Sequence, residues 1–250
     1  MCSDILSCDW REHEGVIVLE TVGLSKTYDN GVQALINLHL RVDNGQLYCL
    51  VGPNGAGKST TISLFLNYIA PTAGTVFVDQ ISVTDQPLQT RSRLAYVPEQ
   101  VALYGALSAR QNLTFFARLA GHTGQIDYEG ILDTVGLDAA VLRRRVQTFS
   151  KGMKQRLALG IAIAKGARNL VLDEPTSGLD PRAAADFLQL LARLRETGHA
   201  ILISSHDLFH VREIADSVGI MRSGTLCAQV TASELSRTDL HSLYMDAIDR

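Results

Sequence analysis

No apolar run in this 250-residue chain is long enough to cross a bilayer. The most apolar stretch, Leu157-Ala158-Leu159-Gly160-Ile161-Ala162-Ile163-Ala164, falls far short of the roughly 20 residues a spanning helix needs. The N-terminus also lacks the basic start and apolar stretch of a secretory signal. Any membrane role is therefore expected to come through a partner. Cysteine is scarce. Cys2, Cys8, Cys49 and Cys227 contain no C-x-x-C pair, which argues against a disulfide framework or a zinc site and for reduced thiols in the cytosol. An excess of basic charge is missing too. The net charge of −3 argues against a nucleic-acid footprint, although it leaves room for a local basic patch. There is no internal repeat and no low-complexity segment. What remains, 46% hydrophobic and 20% charged residues, is an ordinary globular composition with enough apolar material for a real core.

The most informative stretch is Gly52-Pro53-Asn54-Gly55-Ala56-Gly57-Lys58-Ser59-Thr60. It fits G-x-x-x-x-G-K-[S/T], a phosphate-binding loop, and its context agrees. Apolar residues 47–51 precede it as a strand, and residues 61–66 follow as a helix. Glycines let consecutive N–H groups turn inward around phosphates, and the helix N-terminus adds a positive end. Lys58 is placed to reach the β- and γ-phosphates, and the Ser59 hydroxyl to ligate Mg²⁺. Asn54, Gly55, Ala56, Gly57 and Thr60 complete the expected nucleotide cradle.

Before that loop, residues 16–24 read as a strand, Asn30-Gly31 as a hairpin turn, and residues 34–42 as an alternating strand, which together predict an antiparallel β layer. After it, short strands are expected at 75–78 and 94–97. Residues 101–165 then turn helical, with Leu113, Phe116, Leu119 and Ala120 on one helix face and Met153, Leu157, Ile161 and Ala164 on another. The β/α alternation resumes with a strand at 170–172 and a helix capped by Asp180-Pro181 and stopped by Gly198. A buried strand at 200–204, a strand pair at 217–221 and 225–229, and a short helical tail with Leu235, Leu240 and Leu243 finish the chain. The expected organisation is an extension over 1–14, a nucleotide-binding domain over 15–230 with its helical insert at about 101–165, and a tail over 231–250.

Asp173 and Glu174 end the 170–172 strand. If that strand lies beside the one feeding the phosphate loop, Asp173 meets the Mg²⁺, and Glu174 is positioned to polarise an attacking water. Alone, an Asp-Glu pair at a strand end is more simply a cap or turn. Its worth comes from the loop 115 residues earlier and from the motifs around it.

Those motifs carry a family resemblance. Phe149-Ser150-Lys151-Gly152-Met153-Lys154-Gln155-Arg156-Leu157 resembles the signature region of an ABC-type ATPase, and Ser177-Gly178-Leu179-Asp180 resembles that family's D-loop. His206 resembles its switch histidine, and Tyr28 the aromatic that stacks on adenine. The match covers about residues 16–230 in order and spacing. It implies an α/β fold of ABC ATPase type: a P-loop NTPase with a mixed β core, an antiparallel β layer and an inserted helical subdomain. It implies ATP and Mg²⁺ as ligands, with Glu174 as base and His206 as positioner. It further implies a head-to-tail pair of such chains, each ATP touching the P-loop of one and Ser150, Gly152 and the Asp180 loop of the other.

Two departures matter. Lys151 and Met153 stand where the signature usually has a glycine and a glutamine, a variant similar to that of exporters with separate ABC-2-type membrane subunits. Glu99 follows Pro98 where the family has its Q-loop glutamine, and Gln100 comes next. Either side chain is in reach of the metal or the attacking water, and Gln100 is assigned to the metal set. The expected role is thus an ATPase on the inner face of the cell membrane that drives a separate permease, received at Val101, Leu103, Tyr104 and Leu107. A soluble ABC ATPase remodelling ribosomes or DNA is the alternative. It usually carries two cassettes or a long coiled-coil insert, and this chain has neither.

Overall fold

A computed structural model describes residues 17–235 and 240–249. The expected extension over 1–14 lies outside them.

Two sheets share the chain. The first holds β1 (Ile17–Thr27), β2 (Gln33–Asp43), β4 (Ala73–Val78) and β5 (Ile81–Ser82) in the antiparallel order β2-β1-β4-β5. The turn between β1 and β2 closes through Gly31, whose φ of 82° suits the Asn-Gly signal. In β2 the buried residues are Leu35, Leu38, Leu40 and Val42. The odd step from 35 to 38 reflects an irregularity in the ladder, where Asn37 takes a φ of 49° and shifts the side-chain alternation by one.

The second sheet contains β3 (Leu47–Val51), β6 (Leu94–Val97), β7 (Asn169–Asp173), β8 (Ala200–Ser205), β9 (Ser217–Arg222) and β10 (Thr225–Thr231). Its order is β10-β9-β3-β8-β7-β6, parallel except for the β9–β10 hairpin. All of β3 and β8 is buried, as expected of parallel strands covered on both faces. Alternate residues feed different cores. Leu47, Cys49, Val51, Leu170, Leu172, Ile201 and Ile203 face the core shared with the helices. Tyr48, Leu50, Val171 and Leu202 face the core shared with the first sheet.

This order corrects one expectation. The strand ending in Asp173 does not lie beside the phosphate-loop strand, because β8 sits between them. The helix α6 (Pro181–Glu196) carries the chain from β7 over to β8 as a parallel crossover, and β8 fills the intervening slot. Asp173 pairs with Ser204, and Val51 with Ser205. The loop and the carboxylate still converge, since both sit at the carboxyl ends of parallel strands.

Helix α1 (Lys58–Phe65) follows the loop and α2 (Pro87–Arg93) precedes β6. Residues 101–165 hold α3 (Ala109–Leu119), α4 (Tyr128–Thr134), two 3₁₀ turns and α5 (Lys151–Ala164). The inward face of α3 contains Leu113 as expected but stops short of the helix end. Ala109, Asn112, Leu113 and Ala117 are buried, whereas Leu119 is 73% exposed and Ala120 is exposed. Ser108 and Gln111 close a capping box at its N-terminus. Leu119 and Ala120 stand one heptad beyond Asn112 and Leu113 on the same face, at the C-terminal end of the helix, where the buried stripe has already stopped. Helix α7 (Leu208–Ile214), α8 (Ala232–Leu235) and α9 (Leu240–Asp249) complete the chain. Among the described residues no helix is long and apolar enough to cross a membrane.

Candidate functional site: a phosphate-loop cavity

Between β3 and α1 the loop wraps one wall of a cavity of about 380 Å³. Asn54, Gly55, Ala56, Gly57, Lys58, Ser59 and Thr60 line it, together with Val32, Gln33, Ala34, Glu99, Asp173 and Glu174. Gly57 shows why the loop needs glycine. Its φ is 109°, and a Cβ there would stand 2.6 Å from the Ala34 carbonyl oxygen. The Thr61 hydroxyl donates to the Gly57 carbonyl at 3.0 Å and ties the loop to the first turn of α1.

Lys58 is buried, and its ammonium donates to the Gly52 carbonyl at 2.6 Å. It also lies 3.8 Å from Glu174 Oε1. The other oxygen of Glu174, Oε2, is 2.7 Å from His206 Nδ1. Glu174 is therefore gripped on both oxygens, one by the loop lysine and one by the histidine beyond β8. Its backbone is unusual as well. A φ of 45° is rare for a residue with a side chain, and such conformations persist where surrounding structure over-determines them. Here the restraint is visible: the Glu174 N–H donates to Ser204 Oγ at 2.9 Å, and Ser204 Oγ donates to Asp173 Oδ1 at 2.5 Å. One hydroxyl thus ties the Asp173 carboxylate to the Glu174 backbone N–H. Sequence reasoning missed Ser204. Its only signal is a serine near the end of a fully buried strand, two residues before His206.

The cavity chemistry fits a nucleotide with Mg²⁺. Ser59 and Asp173 supply hard oxygen donors on the same wall. Among the described residues no group of three or more His, Cys, Asp or Glu side chains is placed to hold an ion unaided. The hydroxyl of Ser59 and the carboxylate of Asp173 are donors of the kind Mg²⁺ takes, one or two protein oxygens beside the phosphates it accompanies. Tyr28 follows β1, and its hydroxyl is 3.3 Å from Thr60 Oγ1. The ring stands at the loop edge, partly exposed.

Residues 35–177 match the family described as ABC transporter. The chain belongs to the ABC transporter family. The bacitracin transport ATP-binding protein BcrA of Enterococcus faecalis is 36% identical over 234 residues, covering 93% of this chain and 75% of the relative. The daunorubicin/doxorubicin resistance ATP-binding protein DrrA of Streptomyces peucetius is 34% identical over 220 residues, with coverages of 87% and 66%. A solved structure of an ATP-binding subunit of an ABC transporter superposes with a TM-score of 0.81 at 30% identity, over 92% of this chain and 99% of that one. The protein is an ATP-binding, ATP-hydrolysing subunit of this family.

Within this ABC subunit the expected site residues fall into two groups. Asn54 to Thr60, Asp173 and Glu174 meet in one cavity, with Tyr28 and His206 attached at its edges. Ser150, Gly152, Asp180 and Gln100 are not in its wall. Ser150 caps α5, accepting from the Met153 N–H at 3.2 Å, and stays exposed. Asp180 caps α6, accepting from the Ala183 N–H at 2.9 Å. Of the neighbours Glu99 and Gln100, Glu99 reaches the cavity wall, and its Oε1 accepts from Ser177 Oγ at 2.8 Å.

Proposed function

We propose that this chain powers an exporter of ABC-2 type as one of two ATPase subunits, arranged head-to-tail around two ATP molecules and attached to the cytoplasmic face of a membrane permease. The observation that carries the reading is the separation of two phosphate-binding elements. The loop cavity collects Lys58, Asp173 and Glu174, while the exposed Ser150 and the half-buried Gly152 open α5 outside the cavity wall. A helix N-terminus with an exposed capping serine suits a γ-phosphate, and a second copy would bring one.

In each half, Tyr28 would support the adenine and the loop N–H groups and Lys58 would bind the phosphates. Ser59 and Asp173, with Glu99 or Gln100 from the adjoining loop, would hold Mg²⁺, which supplies charge shielding between phosphate oxygens when bound. Glu174, oriented by Lys58 and His206, accepts the proton of the attacking water. His206 holds the carboxylate in place for that transfer.

The exporter assignment draws on Lys151 and Met153 in the signature and on relatives named for bacitracin transport and for daunorubicin/doxorubicin resistance. The permease would dock beside residues 101–107. There Tyr104 is 51% exposed and packs edge-on against Phe115 at 4.9 Å between ring centroids, an apolar and aromatic surface of the kind enriched at interfaces. The functional unit would span residues 15–230, with 101–165 as its helical arm.

The test is ATP hydrolysis by the purified chain and by Glu174→Gln, together with capture of its membrane partner. Hydrolysis lost in Glu174→Gln and a multi-spanning partner support the reading. Salt-sensitive RNA or DNA binding without a membrane partner would favour the ribosome- or DNA-remodelling alternative.

A further inference from the structure

Lys151 separates Ser150 from Gly152, yet its side chain turns away from the surface those two residues open and back into its own subunit. Its ammonium donates a hydrogen bond to the Ser177 carbonyl. Gly178 leaves the room for this. A Cβ on Gly178, at φ 65°, would stand 3.2 Å from Lys151 Nζ. Nearby, a Cβ on Gly152 would meet Leu179 Cδ2 at 3.6 Å, so the start of α5 and the 174–180 loop are packed against each other.

Ser177 is a three-way junction. Its N–H donates to the Glu174 carbonyl at 3.1 Å, its hydroxyl donates to Glu99 Oε1 at 2.8 Å, and its carbonyl accepts from Lys151. Glu99 in turn lines the phosphate-loop cavity. A continuous path of hydrogen bonds therefore runs from the residue between Ser150 and Gly152 to a carboxylate in the cavity of the same subunit.

We infer that Lys151 is a positioning residue for ATP hydrolysis: it holds the Ser177 loop so that the Ser177 hydroxyl orients Glu99 in the cavity. The inference rests on the ATPase reading above. The physical logic is one of charge and reach. A cationic donor makes a stronger bond to a carbonyl than a neutral one does, and a glycine at position 151 would supply none. The loop that it restrains leads directly out of Glu174, so its displacement moves both a cavity carboxylate and the chain behind the proposed base. Lys151 touches neither nucleotide nor water in this role. It acts through Ser177.

The test compares Lys151→Ala, Lys151→Arg, Ser177→Ala and Glu99→Ala, and the Lys151→Ala/Glu99→Ala pair, in the full chain. Three readouts are taken: kcat for ATP hydrolysis, direct binding of a fluorescent ATP analogue, and amide hydrogen exchange across residues 174–180. Loss of one charged hydrogen bond predicts about a tenfold fall in kcat for Lys151→Ala, with nucleotide affinity held within about twofold. Exchange at 177–179 rises, and Lys151→Arg restores both measures. Ser177→Ala lowers kcat similarly. With Glu99 already removed, Lys151→Ala costs less than about twofold further, because the path then has nothing to orient. If the Lys151→Ala and Glu99→Ala effects multiply instead, or exchange at 177–179 is unchanged, the positioning role is wrong. A parent protein that neither binds nor hydrolyses ATP would refute the ATPase reading, and the exchange measurement would still decide whether Lys151 holds the loop.

Discussion

Glu174 and His206 are 32 residues apart in sequence and 2.7 Å apart in space, with His206 Nδ1 against Glu174 Oε2. The histidine is 64% exposed at its side chain, whereas the carboxylate is 17% exposed. The proposed base, a partly sheltered carboxylate, is thus held from outside by a group that solvent can reach. Glu174→Gln should keep nucleotide binding and lose roughly 10²–10⁴-fold in hydrolysis rate, the usual worth of a general base. His206→Ala should lower the rate through the same carboxylate. The Glu174→Gln/His206→Ala pair should then be no slower than Glu174→Gln alone, as steady-state phosphate release would report.

Ser204 bridges Asp173 and the Glu174 N–H. Ser204→Ala leaves a part-buried N–H without its acceptor and frees Asp173 to rotate. A stability loss of about 1–3 kcal/mol is expected, measurable by urea unfolding, together with a higher Mg²⁺ requirement for hydrolysis.

Gly57 and Gly166 both have positive φ, at 109° and 76°, but only Gly57 has no space for a side chain. Gly166→Ala should cost about 1–2 kcal/mol of backbone strain and leave ATP binding alone. Gly57→Ala adds a clash with the Ala34 carbonyl and Leu35, so its loss in Tm should be larger and nucleotide binding should weaken in the same titration.

Asn112 is fully buried in α3 and clamps the 104–108 loop. Its Oδ1 accepts from the Tyr104 N–H at 3.0 Å, and its Nδ2 donates to the Tyr104 and Ser108 carbonyls at 3.1 and 3.0 Å. Asn112→Leu should destabilise the protein by about 2–5 kcal/mol through the orphaned Tyr104 N–H and overpacking, while the Tyr104 and Ser108 carbonyls keep the Leu107 and residue-112 N–H groups. Hydrogen exchange should localise the loosening to residues 104–108.

His199 is half-buried, and desolvation lowers its pKa. Its unfolded value is near 6.5, so as pH falls the unfolded chain takes up the proton before the folded one. Stability should be level above about pH 6.5 and decline through the interval down to the lowered folded pKa. His199→Gln should flatten that decline in unfolding measurements between about pH 7 and 5.

The nucleotide chemistry was legible early because its parts are local. A glycine at 57 followed by Lys58 and Ser59 dictates a turn and a helix start within a few residues, and Asp173-Glu174 closes a short apolar strand. How far the core extends along α3 was not legible. Leu119 fits the apolar stripe by spacing but is exposed, because it closes the helix beyond the last buried residue, Ala117. The helices α2 and α7, seven residues each, are too short to show a period.

Sequence alone determined the local pieces from which the proposed site is built: the loop with Lys58 and Ser59, the consecutive carboxylates Asp173 and Glu174, and the helix capped by Ser150. These follow from backbone and side-chain preferences that act within a few residues. Only the tertiary structure decided who meets whom. It placed β8 between β3 and β7, so that Ser204 ties the Asp173 carboxylate to the Glu174 N–H. It set Glu99 against Ser177, 78 residues away, and turned Lys151 inward to the same serine. Strand order and such distant hydrogen bonds depend on how whole layers pack, and short-range preferences carry no record of that.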